Sequence, residues 1–147
     1  MSSQLEVLSH EECLACLRSR DVGRVAFLAD DGVPMTIPVN YRLVESSDRT
    51  WVAIRTRPGN VLDRAEMFVA FEIDEVDELH HEGWSVVVRG TLHHIDPDVA
   101  AFRERFDPQP WLVEERDSWL IIDPFAMTGR RLHAPEGRWA FDAGAYL

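Results

Sequence analysis

The sequence predicts a mainly β fold: a small closed or split barrel of about six antiparallel strands with helices at its periphery. Three observations point there. Runs rich in β-branched and aromatic residues recur along the chain, bounded by Gly, Pro, Asp and Ser. Two connections read as hairpins, Asp30-Asp31-Gly32 and the polar loop Glu45-Ser46-Ser47-Asp48-Arg49. Gly90 lies inside the longest run, where a bulge would let one strand bend and serve two sheets.

Taken in order, Ser9-His10-Glu11-Glu12 fits a capping box, and Cys13, Leu14, Cys16 and Leu17 continue as one apolar face, which predicts a helix over 10–20. A strand over 23–29 follows, its apolar run interrupted by Arg24. The next strand, about 33–44, contains Pro34 and Pro38, each lacking a backbone donor, so it should be an edge or carry a bulge there. Asn40 and Tyr41 come directly after, and serve either a bend or a ligand. Trp51 to Thr56 reads as a third strand, broken by Pro58-Gly59 and followed by a short helix over about 60–66. Phe68 to Asp74 is a strand, and 74–82 a polar, acidic segment. The longest strand runs from Gly83 to Ile95, with Trp84 at its start suited to a core or to a rim. Asp96-Pro97 opens a second helix reaching Phe106, with Pro at its first position. A rigid loop, Asp107-Pro108-Gln109-Pro110-Trp111, precedes a last strand over 118–123. Met127 to Leu132 then sets Arg130 and Arg131 behind Gly129, as an anion clamp or a solvated pair.

At 147 residues the chain is read as one domain over 1–147, able to bury a core without disulfides. A formal net charge of −11 argues against a nucleic-acid or membrane surface. No apolar run approaches the roughly 18 residues of a spanning helix, and Met1 to Gln4 lacks the start of a signal peptide, so a cytoplasmic protein is expected. Cys13 and Cys16 form a C-x-x-C inside the helix, where core packing explains them better than redox chemistry or zinc. His80-His81 and His93-His94 are adjacent pairs whose side chains diverge in a strand, so no metal site is assigned.

The stretch from Trp51 to Asp63 carries the chemistry. A strand ending there presents amides, Asn60 can cap the next turn with Asp63 at its third position, and Arg55, Thr56 and Arg57 stand beside them. Such a corner suits a phosphate, or is an ordinary strand-to-helix connection with surface arginines. No Ser-His-Asp or paired-carboxylate constellation nominates a catalytic residue.

These words, in order, resemble the pyridoxamine 5'-phosphate oxidase-like family of FMN-binding split barrels, in the branch that includes nitroimidazole-reductase-like proteins. The matching words are Val22-Gly23-Arg24-Val25-Ala26-Phe27, Pro38-Val39-Asn40-Tyr41, Arg55-Thr56 with Gly59 and Leu62-Asp63, Val69-Ala70-Phe71-Glu72, Gly83-Trp84-Ser85-Val86 and Gly129-Arg130-Arg131. They span about residues 9–132 and leave 133–147 as a tail. The resemblance implies a six-stranded split barrel and a homodimer with flavin sites at the interface. It also implies FMN, or alternatively F420 or haem, and a small-molecule substrate. The phosphate would be met by Arg55, Thr56, Arg57 and Asn60, the ring by Pro38, Val39, Asn40 and Tyr41. Trp84, Ser85 and Arg130 would contribute from the same or the partner subunit. The family commonly has a lysine where this chain has Val61, so Arg57 or Arg64 would have to replace it. The function implied is a flavin-dependent oxidoreductase. The alternatives are a non-catalytic binder and a dimer of the same fold without a cofactor.

Overall fold

The computed structural model describes residues 4–57, 59–64, 66–95, 107–108 and 118–134. Among them lie seven strands and one helix: β1 (Gln4–Val7), α1 (His10–Arg18), β2 (Val22–Leu28), β3 (Pro34–Glu45), β4 (Thr50–Thr56), β5 (Met67–Asp77), β6 (Glu82–Ile95) and β7 (Ser118–His133). Neighbouring strands pair in the order β1-β7-β4-β3-β2-β5-β6, and β6 pairs back onto β7. Strands β2 to β7 therefore close a six-stranded antiparallel barrel, and β1 is added to β7 outside the ring. Closure leaves few free edges.

The barrel is split because its long strands change partners. Residues 34–40 of β3 pair with β2, whereas 41–45 pair with β4. Pro34 and Pro38 thus fall in the half that has β2 alone as its neighbour among the described residues, the edge their missing donors require. β7 pairs with β6 along its length, with β4 at 118–122 and with β1 at 130–133. Opposite the Arg89/Gly90 step the register shifts, from Arg89↔Ala126 to Gly90↔Pro124, so Phe125 is the extra residue of a bulge. Gly90 is needed at this point: a Cβ there would lie 2.4 Å from the carbonyl oxygen of Asp123.

Side chains of the barrel strands alternate between the two faces, and Val25, Ile54, Phe71, Val86, Val88, Leu120 and Ile122 fill the interior. Ser9 opens α1 with the full capping box, accepting from the Glu12 amide at 3.2 Å while Glu12 reaches back to the Ser9 amide at 3.1 Å. The helix buries Cys13, Leu14, Cys16 and Leu17. Burial pushes both thiols up, as expected of cysteines that serve packing. The Asp30-Asp31-Gly32 hairpin forms as read, with Gly32 at φ 78° and its amide on the Ala29 carbonyl at 2.9 Å.

Two expectations are corrected, and one strand is added. Residues 59–64 form consecutive turns and no helix, because Asn60 and Asp63 take up the local amides. β7 continues ten residues beyond the expected end at Asp123, and takes Met127 to Leu132 into the sheet. β1 was not anticipated. The expected helix over 96–106 lies outside the described residues, as does most of the 133–147 tail. No helix among the described residues is long and apolar enough to cross a membrane.

Candidate functional site

β4 delivers Arg55 and Thr56 to its end with their side chains on opposite faces, as the pleat dictates. Thr56 is buried in the barrel, while Arg55 lies on the outer face beside its cross-strand neighbour Trp119. The guanidinium carbon stands 4.9 Å from the centre of the indole ring. Its Nη1 donates to both carboxylate oxygens of Asp107, each at 2.9 Å. Arg55 is thus a shielded cation, fixed against an aromatic plane and already holding an oxyanion.

The turn that follows is pinned by Asp63. One carboxylate oxygen accepts from the Gly59 amide at 2.6 Å; the other accepts from the Ser118 hydroxyl at 2.6 Å and meets His94 Nε2. The His94, Ser118 and Gly59 contacts, in that order, hold the Asp63 carboxyl down at about 2. Asn60 Oδ1 accepts from the Leu62 amide at 3.1 Å, and Leu62 is fully buried. The Gly59 and Leu62 amides are therefore spent within the chain, so the reading of a helical N-terminus for phosphate does not hold. Arg57 is exposed on the turn, and the neighbouring Val61 is 43% exposed. Arg64 is engaged by Asp30 at 3.0 Å.

On β3, Pro38 is exposed, Asn40 is half-buried and Val39 packs against the core. Tyr41 is 2% exposed: its hydroxyl donates to the Leu17 carbonyl at 2.6 Å, and its ring meets Phe71 edge-on at 4.8 Å. Burial pushes the phenol far above its ordinary range. The Tyr41 side chain thus seats α1 on the barrel, and the expectation that it meets a cofactor ring is corrected: the pleat turns it inward.

Ser85 and Arg130 are cross-strand partners and line a groove of about 520 Å³ with Leu5, Val76 and Leu132. None of Pro38, Val39, Asn40, Arg55, Thr56, Arg57 or Asn60 borders it. The Trp84 ring carries the Arg20 guanidinium carbon 5.5 Å from its centre, with Arg20 also paired to Glu75. Within one chain the expected site residues therefore fall into three groups: the end of β4, the β2-paired half of β3, and the β6–β7 rim. Asp63, His94, Ser118 and Asp107 were not singled out as site residues, though Asp63 stands in the quoted pattern. Asp107 is 52 positions from Arg55, and no local spacing signals that pair.

One further cluster lies at the β5–β6 hairpin, where ligand atoms of Asp77, His80 and Glu82 fall within 4.8 Å of one another. Asp77 accepts from the His80 amide at 3.0 Å and bonds its Nδ1 at 2.6 Å, which accounts for this geometry as a local turn and raises the His80 pKa.

Comparison with known proteins places this geometry in context. The family model described as pyridoxamine 5'-phosphate oxidase matches residues 9–131. The chain is 32% identical over 136 residues to the uncharacterized protein Rv0080 of Mycobacterium tuberculosis, covering 86% of this chain and 85% of that one. The FAD binding protein from Mycobacterium smegmatis superposes with a TM-score of 0.72 at 29% identity, over 87% of this chain and 98% of that one. A FAD-binding protein from Mesorhizobium loti gives a TM-score of 0.65 at 24% identity, covering 89% and 98%; there the likeness is one of fold alone.

Proposed function

Because the chain belongs to the pyridoxamine 5'-phosphate oxidase family, matched across residues 9–131, we propose that it binds a flavin and serves as a flavin-dependent oxidoreductase on a small molecule. The observation that carries this reading is the state of Arg55. A guanidinium held on Trp119 and already bonded to a carboxylate has the chemistry to take the phosphate of FMN. The flavin supplies the electron-transfer chemistry when bound, and the protein supplies position and electrostatics. Thr56 contributes its backbone at the strand end, and Arg57 and Asn60 the adjoining turn. Arg57, exposed on the same turn, takes the place of the family's lysine, while Arg64 reaches Asp30. Pro38, Val39 and Asn40 run along the ring.

Trp84, Ser85 and Arg130 are assigned to the second subunit of a cytoplasmic homodimer, since the Ser85–Arg130 groove borders none of the β4-end residues. A second reading has FAD in place of FMN, and the M. smegmatis FAD binding protein favours it. Both share the riboflavin phosphate that Arg55 would meet.

The test is a titration of the purified protein with FMN, FAD, F420 and haem, followed by fluorescence and absorbance, then addition of reduced nicotinamide. FMN or FAD should bind, Arg55→Ala should weaken retention more than Arg130→Ala, and the bound flavin should bleach. Binding without bleaching would make the protein a non-catalytic flavin carrier. A colourless protein that ignores all four ligands would overturn the proposal.

A further inference from the structure

Resting on the reading above, in which Arg55 receives the cofactor's phosphate, we infer that Asp107 is an intramolecular competitor for that phosphate and sets how readily the flavin exchanges. Both Asp107 oxygens accept from one guanidinium nitrogen, Nη1, at 2.9 Å. That arrangement neutralises charge and differs from the two-nitrogen fork by which a carboxylate fixes the guanidinium plane. Trp119 holds the plane from its face, with the guanidinium carbon 4.9 Å from the ring centre. The side chains of Arg55 and Asp107 are only 18% and 29% exposed, so water screens the pair weakly.

An incoming phosphate therefore meets a guanidinium already bonded to a carboxylate, and must displace Asp107 or tolerate a like charge beside it. Riboflavin, which has the same ring and no phosphate, meets no such opposition. The consequence is specific to the tail: Asp107 lowers affinity for FMN and leaves affinity for riboflavin untouched. A cofactor held this way leaves on dilution, in the manner of a co-substrate.

The experiment measures FMN and riboflavin dissociation constants by fluorescence quenching for the full chain and for Asp107→Asn, Arg55→Ala and the double variant. Asp107→Asn keeps the shape and removes the charge. It should tighten FMN roughly ten- to a hundredfold, the range set by one charge-assisted bond. Riboflavin should be unchanged, and the gain should vanish in the Arg55→Ala background. If Asp107→Asn weakens FMN or leaves it alone while Arg55→Ala weakens it, Asp107 is no competitor, and the inference falls while the phosphate site stands. If the full chain binds FMN and riboflavin equally and Arg55→Ala changes neither, the phosphate site itself falls, and the inference with it. Equal changes in both ligands on Asp107→Asn, with an altered unfolding midpoint, would make the residue structural and overturn the inference.

Discussion

Asp63 joins three separate pieces of chain through one carboxylate: the turn at Gly59, the end of β6 at His94 and the start of β7 at Ser118. Those bonds require the charged form, so the carboxyl is lowered from 3.8 to about 2 in the folded protein. A depressed acid contributes stability above its unfolded value, and that contribution is lost as pH falls through the folded one. Urea midpoints of the native chain should fall between pH 4 and pH 2, and Asp63→Asn should flatten that limb. An unchanged acid limb in the variant would remove Asp63 from this role. Tyr41 makes the opposite kind of prediction. Tyr41→Phe leaves the Leu17 carbonyl without its 2.6 Å donor and should cost about 1–2 kcal/mol in urea unfolding while leaving flavin affinity as it was. A loss of flavin affinity with no loss of stability would return Tyr41 to the site.

At the scale of elements, the β6–β7 bulge decides the shape. Gly90→Ala forces a Cβ to within 2.4 Å of a backbone carbonyl that cannot rotate away, and should cost about 1–3 kcal/mol by chemical denaturation. Full stability would show that the bulge relaxes. The bulge was legible because glycine inside a long apolar run has few other reasons to be there. So was α1, whose capping box and apolar face agree. The second half of β7 was not legible. Its inward position is Gly129, which has no side chain to mark the pattern, and the space is filled by Cys13 Sγ and Leu8 from outside the strand. β1 left no signal either: Leu5 and Val7 are 60% and 79% exposed, so its pairing rests on backbone bonds to β7 and on the Glu6–His133 contact at 2.6 Å, not on apolar burial. The place of Arg55 at its strand end could be read from the sequence, whereas its pairing with Asp107 could not, since only the folded topology brings the two together.

Across the whole molecule, the outer face of the barrel exposes an aromatic pair. Phe68 and Phe125 are 78% and 59% exposed, meet edge-on at 6.1 Å, and Arg89 covers Phe125 from 5.7 Å. Aromatic residues and arginine are enriched at protein–protein interfaces, which makes this pair a candidate contact between copies. The native chain should sediment as a dimer at micromolar concentration, and Phe68→Glu should shift it to monomer and release flavin with it. A monomeric native chain that still binds flavin would end the shared-site reading. The partnership of β7 with β1, β4 and β6 carries a consequence for synthesis. Among the described residues the opening strand pairs with β7 alone and β7 also joins β4 to β6, so neither the first strand nor the ring is complete before residues 118–133 are made. Among the described residues, the strand that shuts the ring is thus also the one that gives the first strand its mate.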